Sequence, residues 1–151
     1  MMLINIDYPT PDEEIAIAQL VSGHFEPVIR NVFKGEDLPD LHSVVRSVPV
    51  AHNVLEYAYK IVSATRPEAS SSPSEIRNLI QWGAGPRATI HLITAAKAKA
   101  ILSGRCYVMM DDVRSLFVPV VAHRVVRSFQ AEADGISSEL ILTRILEETK
   151  E

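Results

Sequence analysis

The residue whose type and position most invite chemistry is Arg87, within WGAGPRATIHLITAAKAKAILSGRCYVMMDDVRSLF from Trp82 to Phe117. Gly83 and Gly85 permit a tight turn, and Pro86 suits a first helical position, where its missing N–H would have no intrahelical partner. From Arg87 to Ser103 good helix formers dominate, and Gly104 supplies a stop. Arg87 therefore falls in the first turn, against the positive end of the helix dipole, where carboxylates are the favoured side chains. Two readings of it stand. An exposed arginine can extend into water at little cost. Alternatively, an anion arrives from outside, and free N–H groups, dipole and guanidinium converge on it, which is a phosphate-sensing geometry.

Other chemistry is harder to find. The pattern G-x-x-x-x-G-K-[ST] is absent, and no Gly-Lys pair occurs anywhere, so no phosphate-cradling loop is present. Tyr107-Val108-Met109-Met110-Asp111-Asp112 imitates the apolar strand and paired acids that hold magnesium in nucleotide hydrolases. It follows the arginine and has no phosphate loop before it, so Asp111 and Asp112 read as first-turn acids of a helix. His24, His42, His52, His91 and His123 form no His-Glu-x-x-His pattern and have no cysteine pairing, so no metal site is expected. His91 lies one turn after Arg87 on the same face, which suits either nucleotide proximity or a solvated surface histidine. His123 reads as a structural hydrogen-bonding residue. Cys106, the single cysteine, reads as a small buried apolar side chain; it excludes an internal disulfide and fits a reducing compartment.

The elements that must position Arg87 belong to a chain of 151 residues, long enough to bury a core as one domain. Net charge is −4 and no stretch gathers Lys and Arg, so nucleic acid is not an expected partner. No apolar run approaches the roughly 20 residues that span a bilayer. The start, Met1-Met2-Leu3-Ile4, lacks the basic region of a signal peptide, so a cytoplasmic protein with no membrane partner is expected.

Leu3 to Ile6 alternates as a short strand would. Thr10-Pro11-Asp12-Glu13 is a capping box that opens a helix to about Ser22, with Ile17, Leu20 and Val21 on one face. Pro39-Asp40 starts a short helix through Arg46. Val54, Leu55, Ala58, Ile61 and Val62 mark another, ending near Thr65-Arg66. Residues 67–74 (PEASSSPS) form a flexible polar loop that cannot supply core. A helix from Ser74 to about Gln81 follows, anchored by Ile76, Leu79 and Ile80. Later, a stripe of Val113, Leu116, Phe117, Val120 and Val121 crosses Pro119, which predicts a kink or two helices. Arg124 to Phe129 alternates and could pair with Cys106-Tyr107-Val108 as a ribbon. Asp134-Gly135 is a turn, and Ser137 or Ser138 caps a last helix. The expected fold is mostly α, a helical bundle of about six helices with a minor two-stranded β-ribbon.

The GAGPRA turn, the Ala-rich helix, Gly-Arg-Cys-Tyr-Val, the acidic helix start and His123-Arg124 resemble, in that order, the C-terminal lid of the MoxR branch of AAA+ ATPases. That family's pattern runs Gly-Ala-Ser-Pro-Arg-Ala, an Ala-rich helix, Gly-Arg-x-Tyr-Val, acids and His-Arg. Asp7-Tyr8-Pro9-Thr10 resembles its Gly-Tyr-Pro-Ser lead-in, and Tyr57, Tyr59 and Ala64-Thr65-Arg66 its Tyr-rich helix closing on Ala-Thr-Arg. Met109 and Met110 stand where the family usually has Thr-Pro, so the cap of the following helix is expected to be weaker and slightly frayed. The resemblance covers essentially the whole chain and is most specific over residues 82–124.

It implies that residues 1–151 form a single AAA+ lid domain, with 1–9 leading in from an ATPase core. Arg87 would be sensor 2, reaching the nucleotide's terminal phosphate, with Gly85 and Pro86 beside it and His91 nucleotide-proximal. The intact protein would hydrolyse ATP with Mg2+ in a homo-oligomeric ring, a hexamer, for chaperone-like remodelling or metal insertion, with von Willebrand factor A-domain partners. The catalytic lysine, acids and arginine finger would lie in the N-terminal core, leaving no catalytic residue here. The residues offer no physical role for His123-Arg124.

One bidentate arginine–phosphate contact contributes roughly 1.5–3 kcal/mol, whereas a millimolar dissociation constant requires about 4 kcal/mol. Alone, the chain is therefore expected to bind ATP at millimolar strength or weaker and not to hydrolyse it. The alternative is a free-standing helical protein-interaction module with no nucleotide chemistry. Helices plus a ribbon also suit a winged-helix DNA binder, which the acidic balance opposes.

Overall fold

A computed structural model describes residues 2–23 and 28–149; Met1 and His24, both considered above, lie outside the described residues. Helix α1 (Pro11–Ser22) forms on local signals alone. Glu13 N–H donates to Thr10 Oγ1, Thr10 N–H donates back to the Glu13 carboxylate at 2.8 Å, and Pro11 occupies the first turn. None of its residues is buried, and Ile15, Ile17, Leu20 and Val21 all face solvent. A 3-10 turn (Gly35–Asp37) leads into α2 (Leu38–Ser47), which also buries nothing fully and is tied to the body where Lys97 Nζ donates to Arg46 O at 2.9 Å. The strand expected at Leu3–Ile6 does not form. Those residues belong to no helix or strand, and Leu3 N–H donates instead to Pro119 O at 2.8 Å.

The core lies among α3 (His52–Ser63), α5 (Pro86–Leu102), α6 (Met110–Val121) and α8 (Ser138–Glu148). On α5 the buried residues are Ala88, Leu92, Ala96 and Ala100, a strict i, i+4 stripe. Three of the four are alanines, so α6 can approach closely and seat Phe117, which is fully buried, against the stripe. Burying such a ring contributes about 2–3 kcal/mol relative to exposing it. Val54, Tyr57, Ala58, Ile61 and Val62 on α3 close one side, and Ile141, Leu142 and Ile145 on α8 close another.

Several expectations are corrected at this level. The helix predicted from Ser74 to Gln81 is one turn, α4 (Ser74–Arg77), and Ile80–Trp82 is strand β1. A β-ribbon exists, but its second strand is β2 (Val126–Arg127), antiparallel with Ile80 opposite Arg127 and Trp82 opposite Val126. Cys106–Val108 is instead the link between α5 and α6, so it cannot serve as an edge. After β2, α7 (Phe129–Ala133) forms because Ser128 Oγ accepts from Ala131 N–H at 3.2 Å, where the alternating pattern suggested more strand. Helix α6 does not split at Pro119; it runs on to Val121 and tightens into a 3-10 turn, Ala122–Arg124.

Residues 67–74 are a run of turns tied down at several points. Ser71 Oγ donates to Ser63 Oγ at 3.1 Å, Arg77 Nε donates to Ser72 O at 3.1 Å, and Ser72 is buried. Eight α-helices and one two-stranded ribbon among the described residues make the fold mostly α, as expected. No described helix is long and apolar enough to cross a membrane.

Candidate functional site

The turn ahead of α5 is held from behind by the end of α3. Thr65, fully buried, donates from Oγ1 to Val62 O at 2.7 Å, and the same oxygen accepts Ala84 N–H at 2.9 Å. Arg66 Nε donates to Ala84 O at 2.9 Å. Both backbone groups of Ala84 are thus occupied, and its methyl is buried as well. Gly83 makes this approach possible: a Cβ there would sit 2.4 Å from Thr65 O and 2.7 Å from Arg66 Cα. Gly85 follows in extended conformation as the N-cap, without a side chain to cap the helix, and Pro86 begins α5. A hollow of about 360 Å³ adjoins the turn, lined by Arg66, Gln81, Gly83–Gly85 and the exposed Trp82.

Arg87 projects from this anchored base. Its side chain is exposed and makes no hydrogen bond or ion pair among the described residues. The backbone ahead of Arg87 is thus held at Ala84, while its guanidinium has no partner among the described residues. Gly85 and Pro86 are exposed beside it, and His91 is half-buried one turn further on.

Burial lowers the His91 pKa first, and positive charges around it, among them Arg124, Arg87 and His123, lower it further. Helices α5 and α6 pack against each other. His123, expected to be a structural hydrogen-bonding residue, is exposed and makes no hydrogen bond among the described residues; burial and then Arg124 lower its pKa too. Arg124 Nε donates to Val120 O at 3.1 Å.

The acids after Tyr107 have separate fates. Asp111 is exposed, whereas Asp112 is buried and accepts from both terminal nitrogens of Arg105, at 2.6 and 2.7 Å. Met109 N–H donates to Asp112 Oδ2 at 2.9 Å, so this carboxylate supplies the cap expected to be weak in the absence of Thr-Pro. The Arg105 hydrogen bonds, helped by Met109 N–H, hold Asp112 below the usual carboxylate range against the opposing effect of burial. Asp112 is committed to structure and no strand precedes it, so the resemblance to a magnesium-binding strand is superficial. Among the described residues no three of His, Cys, Asp and Glu are grouped to hold a metal ion. Cys106, expected inside, is exposed, because the 103–109 link turns its apolar contacts inward only at Val108.

Arg87, Gly85, Pro86 and His91 therefore share one end of α5. Sequence reasoning missed Thr65 and Arg66 as partners of the turn, for which the only signal was their place in an Ala-Thr-Arg ending. It also missed Arg105, whose partner lies seven residues on.

Residues 74–145 match the AAA lid domain family. The chain is 33% identical over 144 residues to the chaperone MoxR1 of Mycobacterium tuberculosis, covering 95% of this chain and 38% of that protein. It is also 33% identical over 142 residues to protein MoxR of Paracoccus denitrificans, covering 83% of this chain and 40% of that one. A crystal structure of a candidate ATPase from Cytophaga hutchinsonii aligns with a TM-score of 0.85 at 28% identity, over 99% of this chain and 46% of that chain.

A bundle that buries one face of an Ala-rich helix and presents an anchored Gly-Ala-Gly-Pro-Arg turn is a lid of the AAA type. Its relatives narrow this further: the chain is the C-terminal lid domain of a MoxR-family AAA+ ATPase. It spans less than half the length of the relatives it matches.

Proposed function

We propose that this lid closes on ATP held by the core of the intact protein, with Arg87 as the sensor 2 residue that meets the terminal phosphate. The observation that carries the reading is an exposed, unpaired guanidinium on a turn whose preceding backbone is pinned at both the N–H and the C=O of Ala84. A rigid stem converts arrival or loss of the terminal phosphate into a change of lid angle, because the guanidinium cannot follow the anion without moving α5. The Gly85–Pro86 backbone and Arg87 suit a phosphate. The described acids do not suit Mg2+, which belongs with the core.

The exposed apolar side chains of the first third, including Ile17, Leu20, Val21, Ile29 and Phe33, suit burial against that core. A free-standing interaction module would also need to cover them, but it gives the anchored arginine no task. On this reading the intact protein hydrolyses ATP in a homo-oligomeric ring, a hexamer as the family resemblance suggests. The cycle would drive chaperone-like remodelling or metal insertion with von Willebrand factor A-domain partners.

In the intact ATPase, Arg87→Ala is expected to lower kcat by roughly 10²–10³, as for loss of one transition-state donor. The lid's melting temperature should not change, since the side chain is exposed and has no hydrogen bond or ion pair among the described residues. Wild-type turnover in that variant would remove Arg87 from the mechanism.

A further inference from the structure

We infer that the hollow beside the Gly83–Gly85 turn seats the adenine base of the nucleotide, stacked on Trp82 and read along its edge by Gln81. The inference rests on the reading of Arg87 as the contact to the terminal phosphate and adds the other end of the same ligand.

The hollow, of about 360 Å³, falls within the size range of small-molecule sites. Its lining joins an indole, a carboxamide, a guanidinium and a carboxylate (Trp82, Gln81, Arg66 and Glu68) to the bare backbone of Gly83 and Gly85. Arg66 and Glu68 carry opposite charges, so these walls are neutral overall and do not select a phosphate. A flat, uncharged ring with a polar edge suits them better. Trp82 is 67% exposed, although strand pairing fixes its backbone opposite Val126. A large apolar face is thus left in water, and a stacked heterocycle covers it.

The strand is built irregularly at this point. Ile80 stands opposite Arg127 and Trp82 opposite Val126, two neighbours on β2, so Gln81 is the extra residue of a β-bulge. Adjacent strand residues ordinarily face opposite ways, whereas a bulge re-aims a side chain, and here Gln81 and Trp82 both line the hollow. Gln81 is exposed, and its carboxamide makes no hydrogen bond among the described residues. It offers a donor and an acceptor side by side, the pair that complements the ring-nitrogen acceptor and exocyclic amine of adenine. Stacking accepts any base, so this edge makes the choice. Gly85 borders the hollow and Arg87 follows two residues later, at most about 7 Å of chain away. One nucleotide, base at one end and phosphates at the other, spans both.

The test uses the 151-residue chain. Trp82 is its one tryptophan, so indole emission, excited where adenine hardly absorbs, reports on this hollow alone. Adenosine, ATP and inorganic tripolyphosphate are titrated in turn, with N-acetyltryptophanamide as the reference for collisional quenching. Adenosine and ATP should quench saturably, adenosine in the millimolar range, and tripolyphosphate should leave the emission unchanged. In variants, binding is read from the ring-proton resonances of adenosine. Trp82→Ala, folded by its amide spectrum, should bind adenosine at least about fivefold more weakly, the low end for loss of one base stack. Trp82→Phe, which keeps a ring, should recover most of that loss. Gln81→Ala should bind about threefold more weakly, as for one neutral hydrogen bond. Arg87→Gln should bind adenosine as wild type does and ATP more weakly.

Quenching by adenosine that rises linearly and equals that of N-acetyltryptophanamide would overturn the inference, as would wild-type adenosine binding in Trp82→Ala. Wild-type binding in Gln81→Ala would overturn the edge contact. If ATP binds through Arg87 while adenosine does not bind, the base site is refuted and the phosphate contact survives. If adenosine binds through Trp82 while Arg87→Gln leaves ATP binding unchanged, the base site stands and the phosphate contact falls.

Discussion

Replacing Gly83 by alanine separates an anchored turn from one that merely passes α3. The added Cβ would meet Thr65 O at 2.4 Å, Thr65 C at 2.7 Å and Arg66 Cα at 2.7 Å, all backbone atoms that cannot rotate away. A carbon–oxygen contact relaxes only at about 3.3 Å, so the turn must retreat by roughly 0.9 Å. The Ala84 N–H and C=O bonds to Thr65 and Arg66, both now 2.9 Å, would then pass beyond hydrogen-bond range. Losing two bonds at about 1 kcal/mol each, with overpacking of about 1–3 kcal/mol, sums to about 3–5 kcal/mol. In urea unfolding with a slope near 2 kcal/mol per M, the midpoint should fall by about 2 M.

Gly85 is the counter-test. A Cβ there meets nothing within 4 Å, and Gly85 is an N-cap lacking a side-chain acceptor. Gly85→Ser should therefore stabilise by about 0.5–1 kcal/mol, through a new cap and a less flexible unfolded chain. A Gly83→Ala midpoint unchanged from wild type, or a Gly85→Ser midpoint that falls as far, would refute the anchoring.

Three further outcomes follow from the same structure. Thr65→Val removes the acceptor of a buried N–H at nearly constant volume and should cost about 1–3 kcal/mol by the same unfolding assay. Asp112 has a lowered folded pKa, so its contribution is complete above the ordinary aspartate value of about 3.9 and disappears as pH falls through its folded value. Asp112→Asn should accordingly be less stable than wild type at pH 7, with the difference shrinking in acid when melting temperature is followed against pH. Cys106 is exposed and should react with a thiol reagent in the native state at a rate that denaturant scarcely raises; strong protection would put it back inside.

Much of the helical framework was legible because its signals are local. Thr10, Pro11 and Glu13 cap α1 within one turn, Pro86 and Gly104 bracket α5, and Ser137 caps α8 by accepting from Leu140 N–H. Gly104 takes a positive φ of 71°, which suits its role as a stop. The arginine in the first turn of α5 was visible for the same reason, since position relative to a helix start needs only neighbouring residues.

What depended on distant partners was not legible. Ile76, Leu79 and Ile80 satisfy a helical period, yet pairing with Val126–Arg127, some 45 residues on, drew Ile80 into a strand. Asp112 looked like an ordinary first-turn acid until Arg105 was found folded onto it. Local chemistry thus determined where most helices begin and end and which guanidinium stands at a helix start. Only tertiary packing decided that Thr65 and Arg66 hold its turn. Capping and periodicity act within a few residues, whereas these contacts require α3 and α5 to share one core before their ends can meet.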